Sequence, residues 1–318
     1  MTWNPTDPPA QPGRTVVVTG ATAGIGYFAA EQLAATGAHV VLASRSATKL
    51  QVAQDSIRSR VPDASLGSVV IELGSLGSVS EAAAELAALP RLDGILLNGG
   101  AMSMSRGATT ADGLPILLGT HVAANVRLLA GVLPALIATA AEHGTVGRVV
   151  HTSTGFVGLR RYELDDVRQV PWTGIGAYTK AKTVTEVFAF ELERRLRAAG
   201  LPVASVVVRP GVGVDAKTPE RPGIRDKTTP YQRNPYTPWA QGKDTAAWSA
   251  VRALTDPAVR GGEYFAPSGR LRGEPVAVPT LARTATPDGD IADRVWRQLE
   301  ALAGVQTTGV LRDTQMRK

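Results

Sequence analysis

Residues 15–26 read Thr-Val-Val-Val-Thr-Gly-Ala-Thr-Ala-Gly-Ile-Gly, and this stretch decides the fold class. The β-branched run 15–18 predicts a buried strand, and the Ala-rich stretch 27–36 predicts a helix that Gly37 ends. Small residues between a strand and a helix let the backbone approach a pyrophosphate, and the helix N-terminus supplies free N–H groups. We therefore predict a dinucleotide-binding loop formed by Gly20, Thr22, Ala23, Gly24, Ile25 and Gly26.

The alternation of strand and helix continues along the chain. Because the apolar runs are continuous, both faces of each strand should be covered by helices, as in a parallel sheet. Strict alternation then predicts an α/β fold with a doubly wound parallel sheet, the Rossmann fold. The predicted strands are residues 39–43, 69–73, 94–97, 148–152, 203–208 and 264–265, and the predicted helices are residues 49–60, 79–89, 117–141, 177–199, 244–254 and 291–302.

The chain divides into three parts by composition. Residues 1–13 are rich in proline and predict a flexible leader, while residues 14–275 form the Rossmann-type domain. Within that domain, residues 212–240 show little periodicity and predict a long substrate loop. Residues 276–318 are a C-terminal extension.

Composition excludes several kinds of function. The 318 residues include no cysteine and only four histidines, so we expect no disulfide, no thiolate nucleophile and no metal site. The formal charge of +6 is spread along the chain, and no nucleic-acid-binding motif is present. Polar residues interrupt the apolar runs, and the leader lacks the pattern of a secretion signal. We therefore expect a soluble cytoplasmic protein with no membrane span.

The end of the second strand indicates which dinucleotide binds. An acidic residue there would accept from the ribose 2′-hydroxyl and repel a 2′-phosphate, but the chain has Ser44 and Arg45. Arg45 can pair with a phosphate and stack on adenine, which favours NADP(H) over NAD(H). The alternative is that Arg45 only caps or solvates the turn.

Tyr178 and Lys182 lie four residues apart, so a helix places both on one face. A neighbouring ammonium favours the phenolate and lowers the pKa of a tyrosine toward working pH. The pair can therefore act as a general acid/base. By itself, the same spacing also fits a solvated helix face.

The order of these motifs resembles the short-chain dehydrogenase/reductase family over about residues 14–270. The tail at residues 262–267 resembles the branch with retinol-dehydrogenase-like and protochlorophyllide-reductase-like members. In that family the tyrosine exchanges the proton and the lysine lowers its pKa and holds the nicotinamide ribose, roles that the resemblance assigns to Tyr178 and Lys182. It also implies cofactor contacts from Glu72, Leu73, Asn98, Gly99, Gly100, Pro210 and Gly211.

Three positions depart from the family pattern. Where relatives often offer a threonine to the nicotinamide carboxamide after the Pro-Gly turn, the chain offers Asp215 or Thr218. The serine that anchors the reacting oxygen falls on Thr154, with Ser153 one place earlier, and only one of these neighbours should face the cofactor. The helical asparagine of the proton relay falls on His121, which can substitute for it or can be a histidine with a purely structural role.

These residues predict an NADP(H)-dependent oxidoreductase that moves a hydride between nicotinamide and a carbonyl or secondary alcohol. The alternative is a dinucleotide-binding sensor or non-catalytic subunit with a degenerate site, and other chemistry on the scaffold also stays open. Aromatic residues in the two irregular stretches hint at an apolar substrate, although they can also simply anchor those loops. The resemblance implies a homodimer or homotetramer built through the helices at 122–141 and 177–199.

Overall fold

The computed structural model describes residues 3–102 and 107–307. Its centre is an eight-stranded sheet with the order β3-β2-β1-β4-β5-β6-β7-β8, in which β7 and β8 pair antiparallel and the other neighbours pair parallel. The prediction of a Rossmann-type sheet is confirmed. The strands are β1 Thr15–Thr19, β2 His39–Ser44, β3 Leu66–Val70, β4 Gly94–Leu97, β5 Gly147–Thr152, β6 Val203–Val208, β7 Tyr264–Pro267 and β8 Pro275–Ala277.

Helices cover both faces of the sheet. One apolar core joins the sheet to α3, α4, α5 and α9, and a second joins its other face to α1, α2 and α7. The helices are α1 Gly24–Ala35, α2 Ala47–Arg58, α3 Leu76–Ala87, α4 Ile116–Glu142, α5 Gly174–Ala198, α6 Lys243–Ala246, α7 Trp248–Thr255, α8 Ala282–Ala285 and α9 Ile291–Ala303. Short 3₁₀ turns occupy Gly155–Leu159, Asp215–Lys217 and Thr237–Trp239.

The third strand begins earlier than the sequence predicts. Residues 69–73 were the expected strand, but β3 pairs with β2 from Leu66 opposite Val40 to Val70 opposite Ser44. This strand lies at the edge of the sheet, and several of its side chains are exposed or half-buried. Its start therefore depends on backbone pairing with β2, which a search for apolar runs does not detect.

Helix α4 is longer and more apolar than expected. Its 27 residues include an 18-residue window of mean hydropathy 1.7, so the prediction that no stretch is long enough to cross a membrane is wrong by length and composition. However, 67% of that window is buried inside the protein. The core helix of a soluble protein has the same properties, so this helix is weak evidence for a span.

The two ends of the described chain contact the domain. The indole N–H of Trp3 donates to the Thr255 hydroxyl at 3.0 Å, and the Gln11 side chain is buried. At the other end, α9 packs on α5 and α4. Residues 1–2 of the predicted leader and 308–318 of the predicted extension lie outside the described residues.

Candidate active site

The glycine loop joins β1 to α1 as predicted. Gly20 has a positive φ of 69°, and a Cβ on Gly26 would overlap the Gly20 carbonyl oxygen. Ala23 precedes α1 in an extended conformation and makes no side-chain cap to the first N–H groups, while Gly24 and Ile25 begin the helix. The loop therefore presents backbone donors at a helix N-terminus, the arrangement that suits a pyrophosphate.

The end of β2 lies beside this loop. The hydroxyls of Thr22 and Ser44 are 3.1 Å apart, and the Gly20 N–H donates to the Ala43 carbonyl at 2.8 Å. The Arg45 side chain is 75% exposed and is 3.9 Å from a Glu72 carboxylate oxygen. An exposed pair at that distance holds Arg45 weakly, so the guanidinium is free to bind a phosphate.

The segment after β4 packs directly on the glycine loop. The Thr19 hydroxyl accepts from the N–H groups of Asn98 and Gly99 at 3.0 and 2.9 Å. The Asn98 side-chain amide donates to the Thr19 carbonyl, so Asn98 supports the loop backbone. A Cβ on Gly99 would be 2.8 Å from the Leu73 side chain, so the small residue permits this close approach.

Tyr178 and Lys182 lie on one face of α5, near the carboxyl end of β5. The Lys182 ammonium is 5.9 Å from the centre of the Tyr178 ring and donates to the Thr152 carbonyl at 2.6 Å. Burial raises the pKa of Tyr178 to about 12 and lowers the pKa of Lys182 to about 7. This differs from the expected lowering of the tyrosine pKa, because burial is the dominant influence on the phenol.

His121 also packs against Tyr178. The two rings pack edge to face with their centres 5.5 Å apart, and the His121 Nε2 is 2.8 Å from the Ala101 carbonyl oxygen. Because a carbonyl only accepts, Nε2 carries the proton. Nδ1 is then an acceptor, and it is buried without a protein partner. Burial, reinforced by the Lys182 charge, lowers the pKa of His121 to about 3, so the ring is neutral.

A π-helical segment brings His121 to this position. Residues Gly119–Ala123 form that segment within α4, and such insertions often occur at functional sites. A Cβ on Gly100 would overlap the His121 ring, so the glycine makes room for the imidazole.

The two candidate hydroxyls after β5 have different surroundings. The Ser153 hydroxyl is buried and donates to Glu186 at 2.5 Å. Thr154 is half-buried, and its hydroxyl is 3.5 Å from the Phe156 N–H at the start of the 3₁₀ turn. Ser153 is therefore engaged within the protein, and Thr154 has the less committed hydroxyl.

Glu186 was missed by the sequence reasoning. It lies one turn beyond Lys182 on α5 and is fully buried. Its Oε1 accepts from Ser153 and, at 2.9 Å, from Tyr264, while its Oε2 is 3.0 Å from the Thr284 hydroxyl. The signal was present in the sequence, since Tyr178, Lys182 and Glu186 follow one another at intervals of four residues.

The turn after β6 begins the predicted substrate loop. Gly211 has a positive φ of 70°, and a Cβ there would overlap the Leu271 carbonyl oxygen. The Pro210 carbonyl accepts from the Gln241 side chain at 2.8 Å. Further along, the buried Asp215 pairs with Lys243 at 2.5 Å, so this carboxylate is engaged within the protein.

A separate cavity of about 280 Å³ lies on another face of α5. Ala177, Lys180 and Ala181 line it, whereas Tyr178 and Lys182 do not. Residues 177 and 181 point well away from residues 178 and 182 around a helix.

The chain has clear relatives among known proteins. The sequence profile described as short chain dehydrogenase matches residues 14–221. Polyprenol dehydrogenase from Mus musculus is 33% identical over 309 residues, which cover 95% of this chain and 85% of that protein. Retinol dehydrogenase 13 from Homo sapiens is 30% identical over 203 residues, covering 63% of this chain and 59% of that protein.

Solved structures show the same fold. An uncharacterized protein from Mycobacterium Paratuberculosis superposes with a TM-score of 0.75 at 25% identity, covering 96% of this chain and 99% of the other. L-sorbose reductase from Gluconobacter frateurii, complexed with NADPH and L-sorbose, gives a TM-score of 0.60 at 17% identity, covering 82% and 97%. At that identity the second likeness concerns the fold alone.

Fold and site together define an oxidoreductase of the Rossmann type that binds a nicotinamide dinucleotide. The chain belongs to the short-chain dehydrogenase/reductase family, in the branch that contains the retinol dehydrogenases.

Proposed function

We propose that this protein is an NADP(H)-dependent oxidoreductase that transfers a hydride between nicotinamide and the carbonyl or secondary alcohol of an apolar substrate. The observation that carries the proposal is that Tyr178 packs against the His121 ring and has the Lys182 ammonium 5.9 Å from the centre of its own ring. In a doubly wound sheet, ligands bind at the carboxyl ends of the strands near the point where strand order reverses, here between β1 and β4.

In the proposed reaction, each hydride added to or removed from the substrate carbon is accompanied by one proton added to or removed from the substrate oxygen. The bound nicotinamide supplies or accepts the hydride, and the protein fixes the geometry. Tyr178 gives its phenolic proton to the carbonyl oxygen during reduction and recovers it during oxidation. Lys182 favours the phenolate of Tyr178, and the Thr154 hydroxyl orients the reacting oxygen. The buried acceptor at Nδ1 of His121 can hold a water in the proton path.

The proposed preference for NADP(H) over NAD(H) rests on the charge of the residues at the end of β2. Ser44 and Arg45 offer a hydroxyl and a guanidinium where a carboxylate would repel a 2′-phosphate.

The Ser153 hydroxyl, in contrast to that of Thr154, donates to Glu186 and therefore has a supporting role in this proposal.

An apolar substrate agrees with two observations. Three aromatic side chains of the predicted substrate loop are exposed, namely Tyr231, Tyr236 and Trp239. Two relatives are named polyprenol dehydrogenase and retinol dehydrogenase 13, and both names refer to apolar alcohols. We therefore expect apolar ketones, aldehydes and alcohols to be better substrates than sugars. Cytoplasmic location and homo-oligomer formation through α4 and α5 also belong to this proposal.

Tyr178→Phe tests the proposed role of the tyrosine. The variant should lose at least about 100-fold in kcat with apolar carbonyl substrates, because general acid catalysis contributes about that factor or more. NADPH binding, measured by fluorescence, should stay within a few-fold of the unmodified protein.

Tyr162→Phe is the matched control, since it removes a buried hydroxyl that has no hydrogen-bond partner in the described structure. Turnover by Tyr178→Phe equal to that of this control would contradict the assignment. Tight NADPH binding by the unmodified protein with no turnover across a broad panel would instead favour the alternative of a dinucleotide-binding sensor.

A further inference from the structure

Glu186 is a buried carboxyl group that the proposed chemistry does not use. It continues the column of Tyr178 and Lys182 by one more turn of α5. Each of its two oxygens has a hydroxyl within hydrogen-bond distance: Ser153 and Tyr264 at Oε1 and Thr284 at Oε2. These three hydroxyls come from the end of β5, from β7 and from α8, so the fold has built an enclosed site around the carboxyl group.

Positive charges face this carboxyl group from two elements. Lys182 is 3% exposed, and its ammonium donates to a neutral carbonyl, that of Thr152. Arg209 follows β6, and its Nε is buried without a hydrogen-bond partner in the described structure. Buried cations are costly unless a negative charge compensates them. Lys182 is buried and Arg209 is half-buried, so a neutral Glu186 would leave the Lys182 ammonium in particular without that compensation.

The other titratable groups around Lys182 are neutral. Burial, and then the charge of Lys182, lowers the pKa of both His121 and His151 to about 3. Burial raises the pKa of both Tyr178 and Tyr264. Among these neighbours, Glu186 is the group that can supply a negative charge.

We propose that Glu186 is the buried counter-charge of Lys182 and acts as a positioning residue that keeps the ammonium charged beside Tyr178. The role in turnover rests on the proposed function, but the charge relation itself does not. Glu186 also holds Ser153, the neighbour of the Thr152 carbonyl that binds the ammonium, so one carboxyl group fixes both the charge and the place of Lys182.

The consequence for titration has a definite sign. Burial lowers the pKa of Lys182 to about 7, and the charge of Glu186 opposes that lowering. Removing the charge must therefore lower the pKa further, so that Lys182 loses its proton at a lower pH. Burial raises the pKa of Glu186, while the three hydroxyls and the charge of Arg209 act in the opposite direction.

Glu186→Gln tests the proposal in the protein without cofactor or substrate. The chain has seven lysines, so the ¹³Cε resonance of Lys182 can be followed by NMR and assigned by its loss in Lys182→Met. We expect its titration midpoint to fall by about one pH unit in Glu186→Gln, the size of the effect of one charge removed from a buried neighbourhood. A shift below about 0.3 unit would overturn the proposal.

The glutamine fits the same hydrogen bonds. Its carbonyl can accept from Ser153 and Tyr264, and its amide can donate to the Thr284 hydroxyl, which then donates to the Leu281 carbonyl at 3.1 Å. Thr284→Val is the matched control, because it removes one contact of Glu186 but keeps the charge. Its midpoint should move by less than half as much as that of Glu186→Gln, and equal shifts would mean that packing, not charge, is responsible.

A measurement on the unmodified protein covers the case in which Glu186→Gln does not fold. The ¹³Cδ resonance of Glu186 should report an ionised carboxylate at pH 7, and a protonated carboxyl group there would overturn the proposal. Turnover adds an independent readout, since the loss of reductase activity with rising pH should begin at lower pH in Glu186→Gln. Failure of Tyr178→Phe to reduce turnover would refute the proposed function but would leave both NMR results unaffected.

Discussion

Arg45 is the residue on which the choice between NADP(H) and NAD(H) depends in our proposal. Its side chain is 75% exposed and pairs only weakly with Glu72. Arg45→Ala should raise the Kd for NADPH about tenfold, the value of one charge-assisted phosphate contact, and should change the Kd for NADH less than about twofold. Fluorescence titration with both cofactors measures this directly.

Arg58→Ala is the control for Arg45→Ala, because Arg58 is also exposed and pairs with a carboxylate, Asp55, at 3.8 Å. Arg58→Ala also removes one positive charge, in this case from α2, and should leave the Kd values for NADPH and NADH unchanged. Equal affinity of the unmodified protein for NADH and NADPH would contradict the proposed preference.

At the residue scale, the sequence predicts those contacts of the site that helical periodicity determines. The spacing of Tyr178 and Lys182 places them together on any helix, and the structure has them on one face of α5. The sequence could not show which of Ser153 and Thr154 faces the cofactor. Strand alternation predicts that the two side chains point in opposite directions, but it does not say which direction each one takes. That depends on Glu186, a partner that is 33 residues further along the chain.

At the element scale, the order of strands and helices is largely readable, while local irregularities are not. Helix 117–141 was predicted as a regular helix, but Gly119–Ala123 forms a π segment that carries His121. An extra residue within one turn shifts the phase of the apolar pattern, but this helix is apolar on more than one face, so the sequence gives no sign of the shift. Likewise, α8 is only four residues long and provides Thr284 to the Glu186 site without any detectable periodicity.

The packing of α3 on α4 gives a prediction at this scale. A Cβ on Gly131 of α4 would be 2.7 Å from the Ala83 Cβ of α3, and neither atom can rotate away. Alanine gains about 1 kcal/mol over glycine in helix propensity, but overpacking costs about 1–3 kcal/mol. Gly131→Ala should therefore lower the free energy of unfolding by up to about 2 kcal/mol in urea denaturation.

Gly77→Ala on α3 provides the matched comparison. Its new Cβ would meet the Ser75 hydroxyl at 3.7 Å, an ordinary contact, so only the propensity gain should remain. We expect this variant to be as stable as the unmodified protein or more stable by up to about 1 kcal/mol. If both variants gave the same stability, close packing between α3 and α4 would not limit this interface.

At the scale of the whole molecule, the predicted C-terminal extension contributes a helix, α9, to the main apolar core. The family profile ends at residue 221, whereas α9 packs on α5 and α4 through residues of the main core. These are the helices through which the resemblance implied a homodimer or homotetramer. Oligomer formation stays a prediction, and any interface there must include or adjoin α9.

Trp296 joins this extension to the active-site helix, and its replacement tests whether the two form one cooperative unit. It is 1% exposed, stacks on Phe188 of α5 with ring centres 5.0 Å apart, and lies under the Arg195 guanidinium at 4.3 Å. Trp296→Ala should lower the free energy of unfolding by about 3–5 kcal/mol, because truncating a buried aromatic leaves a large cavity. Trp239→Ala, at a residue that is 60% exposed, should change the free energy of unfolding by less than about 1 kcal/mol.

Urea denaturation followed by both circular dichroism and fluorescence measures these changes in the free energy of unfolding. A single transition that shifts in both signals places α9 within the cooperative fold of the domain, while a separate early transition with the main one unmoved would show that the extension unfolds independently.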